Sequence, residues 1–118
     1  MPVRPLNSAV FKWPNRETVL TAARAWAAAL RQRDPAVERI ACIGSYARGD
    51  WGVGSDLDVI VWLSESDLSA LERSRRYSPE GLPVPADLWV HTRAEWERLA
   101  ADSPQLVARL QREMLDLA

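Results

Sequence analysis

Gly44-Ser45-Tyr46-Ala47-Arg48-Gly49-Asp50-Trp51-Gly52-Val53-Gly54-Ser55-Asp56-Leu57-Asp58-Val59-Ile60-Val61-Trp62-Leu63 joins a glycine-rich turn to the clearest strand pattern in the chain. Four of the five glycines lie between Gly44 and Gly54, and ten residues separate Ser45 from Asp56. The turn is expected to hold one helical turn beginning near Ser45. Gly44 lets the backbone approach a ligand closely. Ser45 offers a hydroxyl and a backbone N–H at a helix start, where anions are favoured, and Arg48 is placed to reach the same anion. From Asp56 to Leu63 successive side chains point to opposite faces. Asp56, Asp58, Ile60 and Trp62 therefore share one face, and Leu57, Val59, Val61 and Leu63 share the other. The second set is uniformly apolar and is read as the core face. The first begins with two carboxylates beside the glycine turn, an all-oxygen donor set suited to a hard cation such as Mg²⁺.

Outward from this stretch, helix and strand patterns alternate. Residues 1–14 contain three prolines and no period and read as an irregular arm. Asn15 is a cap for a helix through Arg33, with Val19, Ala22, Ala23, Trp26, Ala29 and Leu30 forming an apolar stripe. Asp34-Pro35 ends it. Val37 to Ile43 is a short strand. Ser66 to Arg76 reads as a helix, and Ser78 to Pro85, rich in proline, as a loop. Ala86 to His91 is a further strand that carries Asp87, Trp89 and His91 on one face. Asp87 is a candidate third carboxylate: on a neighbouring strand it would complete a metal site or accept a proton from an attacking hydroxyl. Thr92 and Glu95 form a capping box for a helix to about Ala101. Ser103-Pro104 opens a final helix over 103–117, with Leu106, Val107, Leu110, Met114 and Leu117 on one face. One α/β domain over 1–118 is the simplest account.

Composition narrows the functional classes. Of 118 residues, 47% are hydrophobic and 26% charged, ordinary values for a globular chain. Fifteen Lys and Arg against sixteen Asp and Glu give a net charge of −1, which argues against extended nucleic-acid binding. The single cysteine, Cys42, excludes an internal disulfide and a cysteine cluster for zinc. No apolar run approaches the ~20 residues of a membrane span, and the start lacks the apolar core of a signal peptide. The chain is expected to be cytoplasmic, with no membrane partner. Nothing matches a Walker loop, and Gly52-Val53-Gly54 lacks the third glycine of a dinucleotide fingerprint.

Gly44-Ser45-Tyr46-Ala47-Arg48-Gly49-Asp50 followed by Ser55-Asp56-Leu57-Asp58 resembles the signature of the DNA polymerase β-like nucleotidyltransferase superfamily, and the short chain is similar to its minimal nucleotidyltransferase branch. Ala86-Asp87-Leu88-Trp89-Val90 is similar to the third-aspartate strand. The resemblance covers roughly Val37 to Ala101 and is weakest at both ends. It implies an α/β (α+β) fold, a mixed sheet with helices packed mainly on one face. It also implies Asp56, Asp58 and Asp87 as catalytic residues and Mg²⁺ ligands for two ions, Asp87 serving as third ligand or base. Gly44, Ser45 and Arg48 would contact the nucleotide phosphates. The implied reaction moves AMP from ATP to a protein hydroxyl, with a HEPN-domain RNase as both partner and acceptor, so that the chain acts as an antitoxin within a homo- or hetero-oligomer. Larger members carry an acceptor-binding domain for which this chain has no room. Neutralisation by binding alone, or transfer to a small molecule or an RNA end, are the alternatives.

Other residues have plainer readings. Asp50 reads as a turn cap and His91 as structural or exposed. Trp26 and Trp96 read as core. Trp51 divides between partner contact, base stacking and local packing. Trp62 and Trp89, on the carboxylate face, need a cover from the arm, a terminal helix or another chain. Arg73, Arg75 and Arg76 read as a solvated helix end.

Overall fold

The computed structural model describes residues 13–118, so most of the expected arm lies outside the described residues. In chain order the elements are α1 (Arg16–Arg33), β1 (Val37–Ile43), α2 (Ser45–Arg48), β2 (Leu57–Leu63), α3 (Ala70–Tyr77), β3 (Ala86–Thr92), α4 (Arg93–Asp102), α5 (Pro104–Glu113) and β4 (Leu115–Asp116). Four strands make a mixed sheet in the order β3-β2-β1-β4. β1 runs antiparallel to both β2 and β4, while β2 and β3 are parallel.

Local signals set most boundaries. Asn15 accepts a hydrogen bond from the Thr18 N–H and starts α1. Thr92 and Glu95 form the reciprocal capping box that starts α4. The helix expected from Ser66 begins instead at Ala70. Ser66 Oγ accepts from the Leu68 N–H, a local turn that competes with helix. Ser69 with Glu72 then supplies a second capping box. The last helix is shorter than expected. It stops at Glu113, and the following residues pair as β4 against the edge of β1, with Ala41 opposite Asp116 and Cys42 opposite Leu115. Covering that edge satisfies backbone groups that a longer helix would leave unpaired. Leu117 thus belongs to the sheet core rather than to a helical stripe.

The alternation in β2 divides the interior as its sequence requires. Leu57, Val59, Val61 and Leu63 enter the main core with Val19, Ala23, Leu30, Ile40, Tyr46, Tyr77 and Leu117, so α1, α2 and α3 all lie on this face. Cys42 is buried here, which pushes its thiol up to about 12 and leaves it unreactive. Ala41, Ile60 and Trp62 form a smaller cluster on the opposite face, packed by Ile43, Trp96 and Met114. The cover needed by Trp62 is therefore internal. The Trp96 ring from α4 meets it edge-on, with centroids 5.1 Å apart, and the Arg39 guanidinium lies 4.8 Å from its centre. Trp62 is left 6% exposed. His91, opposite Trp62 in register, packs against the same Trp96 ring, and burial lowers its pKa, which favours the neutral imidazole.

Arg73 departs from the solvated reading of its neighbours. It is buried, donates to the Leu68 and Val90 carbonyls, and forms a two-pronged pair with Glu95. This contact ties α3 to β3 and to the start of α4. It holds the Glu95 carboxyl down at about 2.

Candidate active site

The carboxylate cluster is built by sheet register. Asp58 lies directly opposite Asp87 across the parallel β2–β3 pair, and Asp56 immediately precedes β2. Asp58 and Asp87 lie on the face opposite the main core, and Asp56 is near enough for its charge to act on Asp58. Trp96 closes that face at the Trp62 and His91 end, whereas Asp56 and Asp87 remain exposed. Asp58 is half-buried, and its pKa is raised by that burial first and then by the charges of Asp87 and Asp56. Three carboxylates repelling one another, with no sulfur or nitrogen donor among them, make a donor set that a hard divalent cation would relieve. Among the described residues, no three such side chains already converge on one point.

The glycine turn abuts this cluster. Gly44 has φ +76° and ψ −154°, a conformation essentially restricted to glycine. A Cβ at Gly44 would lie 2.3 Å from Asp58 Oδ2. Gly44 is thus what lets the β1 end and Asp58 come into contact. Ser45 opens α2, and Gly49 closes it in a left-handed cap. A helix of four residues has little macrodipole, so an anion at this turn would rest on local donors, the Gly44 N–H, the Ser45 hydroxyl and the Arg48 guanidinium, which together make a candidate phosphate cradle.

Tyr46 anchors the turn from behind. It is fully buried, its hydroxyl accepts a hydrogen bond from Trp13 Nε1 at 3.0 Å, and Trp51 stacks on its ring with centroids 5.6 Å apart. Trp51 is therefore a packing residue of the turn. Arg16 donates to the carbonyls of Tyr46 and Ala47 and satisfies the end of α2. Asp50 pairs with Arg48 at 3.2 Å. Neither Arg16 nor Tyr46 carries a signal that marks its supporting role in the sequence, because both contacts span about thirty residues.

The least foreseeable member is Glu113, from the end of α5. Its Oε2 accepts from the Gly44 N–H at 2.9 Å and from Arg48 Nη1 at 2.8 Å. The structure thus brings Gly44, Arg48, Asp56, Asp58 and Asp87 to one end of the sheet, with an internal carboxylate on two of the cradle's donors. A glutamate 69 residues away on a charged helix end offers no motif to find it by.

No helix among the described residues is long and apolar enough to cross a membrane. The sequence profile of the nucleotidyltransferase domain matches residues 24–114, which takes in the glycine turn, all three aspartates and Glu113. No curated protein matches the sequence. A crystal structure from Sulfolobus solfataricus, provisionally assigned as a nucleotidyltransferase, shares the fold with a TM-score of 0.57 at 22% identity, covering 70% of this chain and 75% of that one. With the profile spanning most of its length, the chain belongs to the nucleotidyltransferase domain family.

Proposed function

We propose that the chain is a Mg²⁺-dependent transferase that moves AMP from ATP to a protein hydroxyl, and that it is the antitoxin partner of a HEPN-domain RNase. The observation that carries the reading is the placement of Asp58 opposite Asp87, with Asp56 leading and Gly44 touching Asp58. Asp56, Asp58 and Asp87 would hold Mg²⁺, as two ions in the fullest arrangement. The metal would neutralise charge on the phosphates. The Gly44 N–H, Ser45 and Arg48 would orient the triphosphate, so that catalysis comes from positioning and electrostatics. The acceptor oxygen attacks the α-phosphorus in line. The bond to the α,β-bridging oxygen breaks, pyrophosphate leaves, and the acceptor proton passes to Asp87 where that carboxylate is free to take it.

A protein acceptor is supported by the surface beside the carboxylates. Trp89, two residues beyond Asp87 on the same face of an edge strand, is 44% exposed. Exposed tryptophans of this kind are favoured anchors for protein partners. The same ring would serve an antitoxin that neutralises by binding alone.

The test is incubation of the chain and its Asp56→Asn variant with Mg²⁺ and α-phosphate-labelled ATP in lysate of the source cells. The expected result is a labelled protein band that requires Asp56. Label in RNA or in a small molecule would reassign the acceptor. Toxin neutralisation that survives Asp56→Asn would select the binding-only reading.

A further inference from the structure

A cleft of about 670 Å³ opens between α2 and the last turns of α5, lined by Ala47, Arg48, Arg109, Arg112 and Glu113. Three guanidinium groups face one carboxylate there. Arg109 and Arg112 are exposed, and among the described residues neither makes an ion pair, although five other arginines do. The cleft already holds an anion. Glu113 Oε2 sits on a backbone N–H and a guanidinium, a donor pair that suits a phosphate oxygen equally well. Those donors, Gly44 and Arg48, belong to the turn that packs against Asp58, and the charges of Arg48 and Glu113 act on the Asp58 carboxyl, so the cleft lies beside the carboxylate cluster.

We propose that this cleft is a polyphosphate subsite for the β- and γ-phosphates of a nucleoside triphosphate, in which Arg109 and Arg112 are binding residues and Glu113 is a resident anion that the phosphates displace. The proposal rests on the nucleotidyltransferase reading of the carboxylate cluster and adds the residues that take the leaving pyrophosphate. Glu113 stands in for the ligand when the site is empty and keeps Arg48 from turning toward Asp58 or solvent. Its negative charge opposes a second anion. Arg109 and Arg112, one turn apart on α5, have no acceptor among the described residues to give up and supply the compensating charge.

The experiment is direct binding of inorganic pyrophosphate, ATP and AMP to the full chain, with Ca²⁺ as the divalent ion, for wild type, Arg109→Gln/Arg112→Gln and Glu113→Gln. The two substituted arginines are exposed, so the double variant is expected to fold normally. Loss of two exposed charge contacts should weaken pyrophosphate and ATP by at least about fivefold while AMP, which lacks the tail, is unchanged. Glu113→Gln should tighten both by a similar factor. Unchanged pyrophosphate and ATP affinity in the double variant, or no pyrophosphate binding by any of the chains, overturns the subsite. Weaker ATP binding by Glu113→Gln overturns the displaced-anion role and makes Glu113 a positioning residue for Arg48. Failure of the broader reading looks different: pyrophosphate would bind with this pattern, yet labelled ATP would yield no transfer to any acceptor.

Discussion

Replacing Gly44 by alanine strikes the joint between the cradle and the carboxylates, and its two costs can be separated. The backbone cost comes from φ +76° with ψ −154°, a region where a side chain is strained by about 1–3 kcal/mol. The second cost is contact. The new Cβ would sit 2.3 Å from Asp58 Oδ2 and 3.3 Å from its Cγ. Asp58 stands on a strand paired on both sides, so its side chain rather than its backbone must yield, at about 1 kcal/mol for an unfavourable rotamer. Together these predict a loss of about 2–4 kcal/mol, or a fall in Tm of roughly 8–16 °C for a domain of this size. Transfer activity should fall to the level of Asp58→Asn, because the displaced carboxylate no longer faces Asp87. Urea denaturation of Gly44→Ala, Asp58→Ala and the double variant would partition the terms. In the Asp58→Ala background the contact is gone and only the backbone strain remains, so Gly44→Ala should cost measurably less there. Equal costs in both backgrounds, or a Gly44→Ala protein of wild-type stability and activity, would refute the geometry.

Other expectations follow from packing and charge. The Glu95 carboxyl is depressed from 4.5 to about 2 by Arg73. Its stabilisation is therefore present above the ordinary value and is lost as pH falls from 4.5 toward about 2. With the Glu95 side chain 40% exposed, screening limits the pair to about 1 kcal/mol. Glu95→Gln should lose that amount near neutral pH and show a flatter acid limb in pH-dependent denaturation; an unaltered acid limb would count against the pair. Leu117→Ala should destabilise by about 2–4 kcal/mol in denaturant melts, because the side chain is buried in the main core. A surface-like change below about 0.5 kcal/mol would return Leu117 to an exposed terminus. Trp96→Ala should cost about 2–3 kcal/mol and raise the exposure of Trp62, read as a red shift of tryptophan emission. Emission and stability matching wild type would mean that another element covers Trp62.

Short-range physics makes much of this protein legible in its sequence. Caps act within three or four residues, so Asn15 and the Thr92–Glu95 box marked helix starts correctly. Strand alternation has a period of two, so β2 alone divided its core-facing residues from the face bearing Asp58. The Gly-Ser turn and Asp-x-Asp spacing placed the glycine turn beside the carboxylates because both lie in one continuous segment. The tertiary structure decided what depends on distant segments meeting. Sheet order put Asp87 opposite Asp58. The open edge of β1 drew the chain end out of helix and into β4. Burial turned Arg73 from an apparent surface charge into a brace. Glu113 reached the cradle across 69 residues. Local hydrogen bonding and sterics are written in neighbouring residues, whereas partners across the fold are chosen by the packing of the whole chain, which no local pattern encodes.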